Sequence, residues 1–448
     1  MSTDKTDQIL ADAPGSMMLN MGPSHPAMHG VIRIILELDG ELVKKADLEI
    51  GFLHRAFEKH SESVTYNQVF PWTDRLNYVS PMINNFGYAM CVEKLLDIKV
   101  TPRCEYVRTV MSEIARLSDH LTCIGASAME LGAFTVFLYM IKAREWLYEL
   151  IEDVCGARVT VSYARVGGVK ADLPENFADR CRSSFKKIRE TLKECDALLT
   201  RNRIFMDRMQ GIGGISKDTA IGYGFTGVML RACGVPYDVR RAYPYHAYDD
   251  LDFEIPVGEN GDNFDRYLVR MEEMQQSMRI VEQALEKMPG GPVNVDHSRI
   301  EPARTVDEAK MGRIGEIYDQ VVNVSPNLEG QEKEEYYQVN PDVKSVVIPP
   351  KQNSYTSIEG LMNHFKLIMY GHGIRPPKGE AYTCVEGGNG ELGFYVVSDG
   401  SDIPYRVRVR APCFTFVAGF HTMIEGAMIA DIIPTFGSIN MIAGELDH

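Results

Sequence analysis

The chain is expected to fold as an α+β protein, a mainly helical core bundle with small β-sheets from its N-terminal and C-terminal regions. Three observations carry this. An Asp-Gly pair separates two branched runs near the N-terminus. Apolar residues then recur at intervals of three and four between residues 50 and 199. Strand-like alternation returns only after residue 376.

Each element follows in chain order. Residues 1–16 are polar and acidic, with no basic segment leading into an apolar one, and read as a flexible leader without signal-peptide character. Met21 to Gly30 is a Pro- and Gly-rich loop carrying His25 and His29. Residues 31–50 read as a β-hairpin about Asp39-Gly40. A helical core is expected over about 51–292. In it Val107, Val110, Met111, Ile114, Leu117, Leu121 and Ile124 form one apolar face. Asn176–Leu199 and Asn263–Met288 read as further long helices, the last stopped by Pro289-Gly-Gly-Pro292. Residues of about 300–350 are polar, charged and Pro-punctuated, and read as a surface insertion. Residues 376–448 supply a second small sheet and an apolar tail. The whole of 17–448 is read as a single domain.

Composition excludes several functions. The chain has 448 residues, 45% of them hydrophobic and 24% charged, which is ordinary for a globular protein. A net charge of −15 argues against nucleic acid and against basic docking on anionic lipid. Nine cysteines occur without one CxxC, so a self-contained zinc or iron–sulfur framework is unsupported. The nearest approach to a membrane span, Leu121 to Ile141, carries Glu130 in its middle, so no transmembrane helix is expected.

Local motifs say less. Gly211-Ile-Gly-Gly-Ile-Ser216 lacks the third glycine of a dinucleotide fingerprint, and no Walker sequence occurs. His54, Glu58 and His60 sit beside Arg55 and Lys59, which favours salt-bridged helix surface over a metal site. Tyr78 reads by default as a packing aromatic. Glu130 is different: a carboxylate within an apolar run needs a partner or a raised pKa, so it is a functional candidate.

Gly22-Pro-Ser-His-Pro-Ala-Met-His-Gly-Val-Ile-Arg33 resembles the opening signature of the 49-kDa, or D, subunits of respiratory complex I. Gly51-Phe-Leu-His-Arg-Ala-Phe-Glu-Lys59, Arg165-Val-Gly-Gly-Val169, Leu230-Arg-Ala-Cys-Gly-Val235, Pro377-Lys-Gly-Glu380 and Tyr395-Val-Val-Ser-Asp-Gly400 agree in order. The resemblance implies a fold like the large subunit of nickel–iron hydrogenases. In those proteins two CxxC pairs hold the metal; the matching positions are Asn77 and Ser80, and Ile442 and Glu445. With no thiolate there, hydrogenase activity is excluded on ligand chemistry.

The resemblance further implies the quinone site of a proton-translocating NADH:quinone oxidoreductase, on the cytoplasmic side of the bacterial inner membrane. His29 and Tyr78 would contact and protonate the quinone headgroup, ubiquinone or menaquinone. Glu130, where relatives usually have Asp, would support His29. Arg55 would lie near a [4Fe–4S] cluster in a neighbouring subunit, while this chain itself holds no cluster, flavin, nickel or other metal. Implied partners are the terminal-cluster subunit, the C subunit, the quinone-channel membrane subunit and the ferredoxin-like subunit. Thr160 stands where many relatives carry a titrating histidine, which implies a weak pH dependence of the cluster potential. Two alternatives stay open: the same subunit in a ferredoxin- or deazaflavin-fed quinone or phenazine oxidoreductase, or a non-catalytic scaffold.

Overall fold

The computed structural model describes residues 16–23, 30–295, 347–349, 351–369 and 371–448, the side chains of 351 and 352 excepted. The leader to residue 15, both loop histidines, His25 and His29, and most of the expected insertion lie outside the described residues.

The first sheet is antiparallel in the order β1 (Met17–Met21), β2 (Arg33–Asp39), β3 (Leu42–Glu49). The hairpin turns at Asp39-Gly40, as the Asp-Gly signal requires. β1 is an addition to the expected hairpin, pairing Met17 with Leu38 through to Met21 with Ile34. Five residues of Met, Leu and Asn carry too short a pattern to announce a strand. Ile34, Leu36 and Leu38 turn inward and share a core with Phe416, Phe420, Ile432 and Phe436 of the C-terminal tail. Backbone hydrogen bonds between Val43 and both Gly426 and Ala427 fasten the sheet to that tail.

Five long helices form the body among the described residues: α1 (Pro81–Leu95), α2 (Pro102–Glu130), α3 (Phe134–Cys155), α4 (Phe177–Leu199) and α5 (Asn263–Lys287). α2 starts at a Thr101 cap whose hydroxyl accepts from the Cys104 amide, with Pro102 at the first helical position. It packs chiefly on α3 and α5. Its expected apolar face is fully buried, but so are Arg108, Glu113, Arg116, Asp119 and His120 on its other sides. α2 is therefore the central helix, enclosed all round. The apolar stretch Leu121 to Ile141 is not one helix: Gly132, at φ +85, breaks it between α2 and α3. No helix among the described residues is long and apolar enough to cross a membrane.

A short hairpin, β4 (Ala164–Arg165) with β5 (Gly168–Val169), separates α3 from α4. The second sheet runs in the order β6 (Gly379–Glu386), β7 (Glu391–Ser398), β8 (Arg406–Arg410), within the region expected to form it, and α1 packs on it. Helices Pro412–Gly419, Ile429–Ile439 and Ala443–Leu446 complete the tail. A helical core with small antiparallel sheets from both ends of the chain is thus the observed α+β architecture.

Charged side chains fill the centre. Glu113 of α2 accepts from Arg116, Arg240, Tyr248 and Ser277. Arg240 also pairs with Asp238 at 2.7 Å. Arg231 pairs with Asp238, Glu273 and Glu386. Each of these ionic side chains is essentially inaccessible to water, so each depends on its neighbours for solvation.

Candidate functional site

The turn before α1 is shaped locally. Asn77 Oδ1 accepts from the Val79 and Ser80 amides, and the Asn84 amide donates to the carbonyls of Thr73 and Asn77. This holds Tyr78 half-buried, packed against the core that the N-terminal sheet shares with the tail. Burial pushes the Tyr78 phenol up to about 12, with Cys413 and Asp119 adding to the shift and Arg55 opposing it. The phenol therefore keeps its proton at neutral pH.

Arg55 reaches the same place. Its Nη2 donates to the Arg75 carbonyl at 2.7 Å, and the guanidinium interacts electrostatically with Tyr78 and Asp447. Burial and the neighbouring Arg75 push its pKa down. The loop bearing Arg55 is pinned by the C-terminus, because Asp447 accepts from the Gly51 and Leu53 amides at 2.9 and 2.8 Å.

Asn77, Ser80, Ile442 and Glu445, the positions that the resemblance aligns with hydrogenase cysteines, come together near Tyr78. Asn77 and Ser80 both donate to Asp119 Oδ2, at 3.0 and 2.9 Å. Asn440, in left-handed conformation at φ +53 after helix Ile429–Ile439, donates to Asp119 Oδ1 at 2.7 Å and to Asn389 Oδ1 at 2.6 Å. Asn389 donates onward to Cys413 Sγ and to Glu445 Oε2. Glu445 Oε1 accepts from the Cys413 amide at 3.1 Å, and the Ile442 amide meets Cys413 Sγ at 3.5 Å. Burial, together with the charge of Asp119, pushes Glu445 up to about 7, while burial drives the Cys413 thiol well above its ordinary value. A phenol and a cation thus stand over two buried carboxylates, an arrangement that can donate hydrogen bonds and hold protons. An apolar border with Ile50, Phe52 and Phe414 exposed runs along the adjoining sheet and tail.

The sequence-derived candidates are distributed unevenly. Tyr78 and Arg55 are brought together. His29 lies outside the described residues; Gly30, the next residue, packs so tightly on Ala443 that a side chain there would strike its Cβ. Glu130 lies half-buried at the C-terminal end of α2, where Gly132 breaks the apolar run. It sits about 16 Å along the axis from Asp119, the carboxylate that Asn77 and Ser80 engage. His54, Glu58 and His60 do not converge: they face the Asp447 carbonyl, the Arg408–Val409 segment and the Trp72 ring. Sequence reasoning missed Asp119, Asn389, Cys413 and Asn440, and gave Glu445 no role beyond a lost ligand position. These residues come from distant segments and carry no local motif.

Comparison with known proteins identifies the family. Residues 130–448 match the family described as respiratory-chain NADH dehydrogenase, 49 Kd subunit. The chain is 48% identical to the D 1 subunit of NADH-quinone oxidoreductase from Sorangium cellulosum, over 99% of this chain and 98% of that protein. It is also 48% identical to the D subunit of the same enzyme from Myxococcus xanthus, over 96% and 92%. The C/D subunit of NADH-quinone oxidoreductase from Bdellovibrio bacteriovorus is 46% identical over 96% of this chain, which spans 68% of that longer protein. The identity extends over nearly the whole length, so the chain belongs to the 49-kDa subunit family of respiratory-chain NADH dehydrogenases.

Proposed function

We propose that this chain forms the quinone headgroup site of a proton-translocating NADH:quinone oxidoreductase, acting within the complex and not alone. The observation that carries the reading is the half-buried, protonated Tyr78 beside Arg55, over the positions where a hydrogenase would carry cysteines. Reduction of a quinone takes two electrons and two protons, so each carbonyl oxygen needs a donor that can polarise it and then release a proton. Tyr78 supplies one; His29, preceding the Gly30 that packs on Ala443, is assigned the other, with Glu130 as its carboxylate support.

Electrons come from a [4Fe–4S] cluster in the neighbouring terminal-cluster subunit, with Arg55 as the fixed cation favouring its reduced state. The exposed apolar border suits contact with the quinone-channel membrane subunit, and the C/D relative supports the C subunit as a partner. On this reading the complex works at the cytoplasmic face of the inner membrane. In the assembled complex, Tyr78→Phe should lower quinone reduction at least tenfold while NADH oxidation by an artificial acceptor persists. Normal quinone turnover in that variant would refute the assignment.

A further inference from the structure

Two carboxylates beneath Tyr78 are not accounted for by the headgroup contacts. Asp119 and Glu445 are 0% and 1% exposed. Neither forms an ion pair with Lys, Arg or His among the described residues; their partners are amides, a hydroxyl, a thiol and a backbone N–H. Two buried like charges without a cation cannot both remain ionised cheaply. The hydrogen bonds decide which one ionises. Asp119 accepts from three side chains at 2.7 to 3.0 Å, all donors that favour a carboxylate. Glu445 accepts one backbone N–H at 3.1 Å, one amide only at 3.4 Å and the weak thiol donor of Cys413. The proton of the pair therefore sits on Glu445.

Cys413 borders both Glu445 and Tyr78. We propose that Glu445, held neutral by ionised Asp119, is the proton store that restores the Tyr78 phenol after each transfer to quinone. The inference rests on the quinone-site reading. In the step, the Tyr78 O–H bond breaks and an O–H bond forms on the quinone oxygen, the electrons arriving from the neighbouring subunit's cluster. The Tyr78 phenolate then takes the Glu445 proton, leaving both carboxylates ionised, and a solvent proton reloads Glu445. Repulsion between the two carboxylates drives that reloading.

The groups facing Glu445 set the sign of the pH dependence. They are Asp119 from α2 and the Cys413 thiol from helix Pro412–Gly419; Tyr78 acts on Cys413, and Arg55 lies against the adjoining Gly444. The tail adds His448, whose Nδ1 meets the Glu445 carbonyl at 3.0 Å, and Asp447, held by backbone amides. Burial, with the charge of Asp119 adding to it, raises the Glu445 pKa to about 7, so the store is full at acid pH and empties as pH rises through neutrality.

The test uses the assembled complex, with assembly read from its composition on native gels. Quinone reduction should fall on an alkaline limb centred near pH 7 in the unmodified complex. Glu445→Gln should slow quinone reduction about tenfold and abolish that limb, and Glu445→Asp should restore it. Asp119→Asn should keep the limb but move it to lower pH, because the charge that holds Glu445 neutral is gone. This second variant decides the matter if Glu445→Gln does not assemble. Infrared difference spectra on quinone reduction should show loss of a protonated carboxyl band in the unmodified complex. A wild-type rate and pH profile in Glu445→Gln, or an unmoved limb in Asp119→Asn, overturns the proposal. If Tyr78→Phe is crippled while those results hold, only the proton store falls; if Tyr78→Phe turns over normally, the quinone-site reading falls first.

Discussion

Thr160 holds a backbone that its residue type resists. It lies at φ +54, and two residues on Ser162 is at φ +41. A β-branched side chain in the left-handed region costs on the order of 1–2 kcal/mol. The segment is held from outside: the Ser162 amide and hydroxyl donate to Asp74 Oδ2 at 3.0 and 2.7 Å, four residues before Tyr78. Histidine tolerates this conformation better than threonine and, unlike it, titrates near neutrality. Redox titration of the cluster proposed for the neighbouring subunit should show little pH dependence with Thr160. Thr160→His should introduce a slope approaching about 59 mV per pH unit. A flat response in the histidine variant would remove this position from the electron path.

The turn between β6 and β7 carries the site at the level of elements. It places Asn389 in the amide bridge and runs Gly388 so close to α2 that a Cβ there would lie 2.0 Å from Asp119 Oδ2. The neighbour is a carboxylate already committed to Asn77, Ser80 and Asn440, and it cannot yield without breaking those bonds. Gly388→Ala should therefore destabilise the fold by about 1–3 kcal/mol, measured by chemical denaturation. It should also depress quinone reduction in complexes of unchanged composition. The break between α2 and α3 is an element-scale matter too. Gly132 ends α2 nearly two turns after Ile124, and this sets Glu130 at a helix terminus where the dipole disfavours a negative charge.

Across the whole molecule, the buried ionic network joins α2, α5, β6 and the Arg231–Arg240 segment. Three arginines (Arg116, Arg231, Arg240) meet four carboxylates (Glu113, Asp238, Glu273, Glu386). His120 donates Nε2–H to Glu273 at 2.7 Å, and burial lowers its pKa, so it serves as a neutral donor. The arginines and hydrogen-bond donors hold Glu113 below the usual carboxylate range against the effect of burial. Glu113→Ala would strand Arg116 and Arg240 without their shared partner. It should cost about 3–5 kcal/mol in unfolding free energy, because an uncompensated buried charge is worse than a missing pair. A loss under about 1 kcal/mol would mean that the cluster rearranges freely and does not organise the core.

The α+β class, the Asp39-Gly40 hairpin, the long helices and the second sheet were legible in the chain, because those depend on local periodicity and turn chemistry. Ordered motif blocks also carried the family resemblance, and the Tyr78 and Arg55 candidates came with it. That α2 is enclosed on every side emerged with the packing, since buried Arg116 and Glu113 look solvent-facing until their partners from other segments are in place. The same holds for Asp119, Asn389, Asn440 and Glu445. Polar residues far apart in the chain have no shared pattern, and their chemistry arises when desolvation leaves each with only the others as partners.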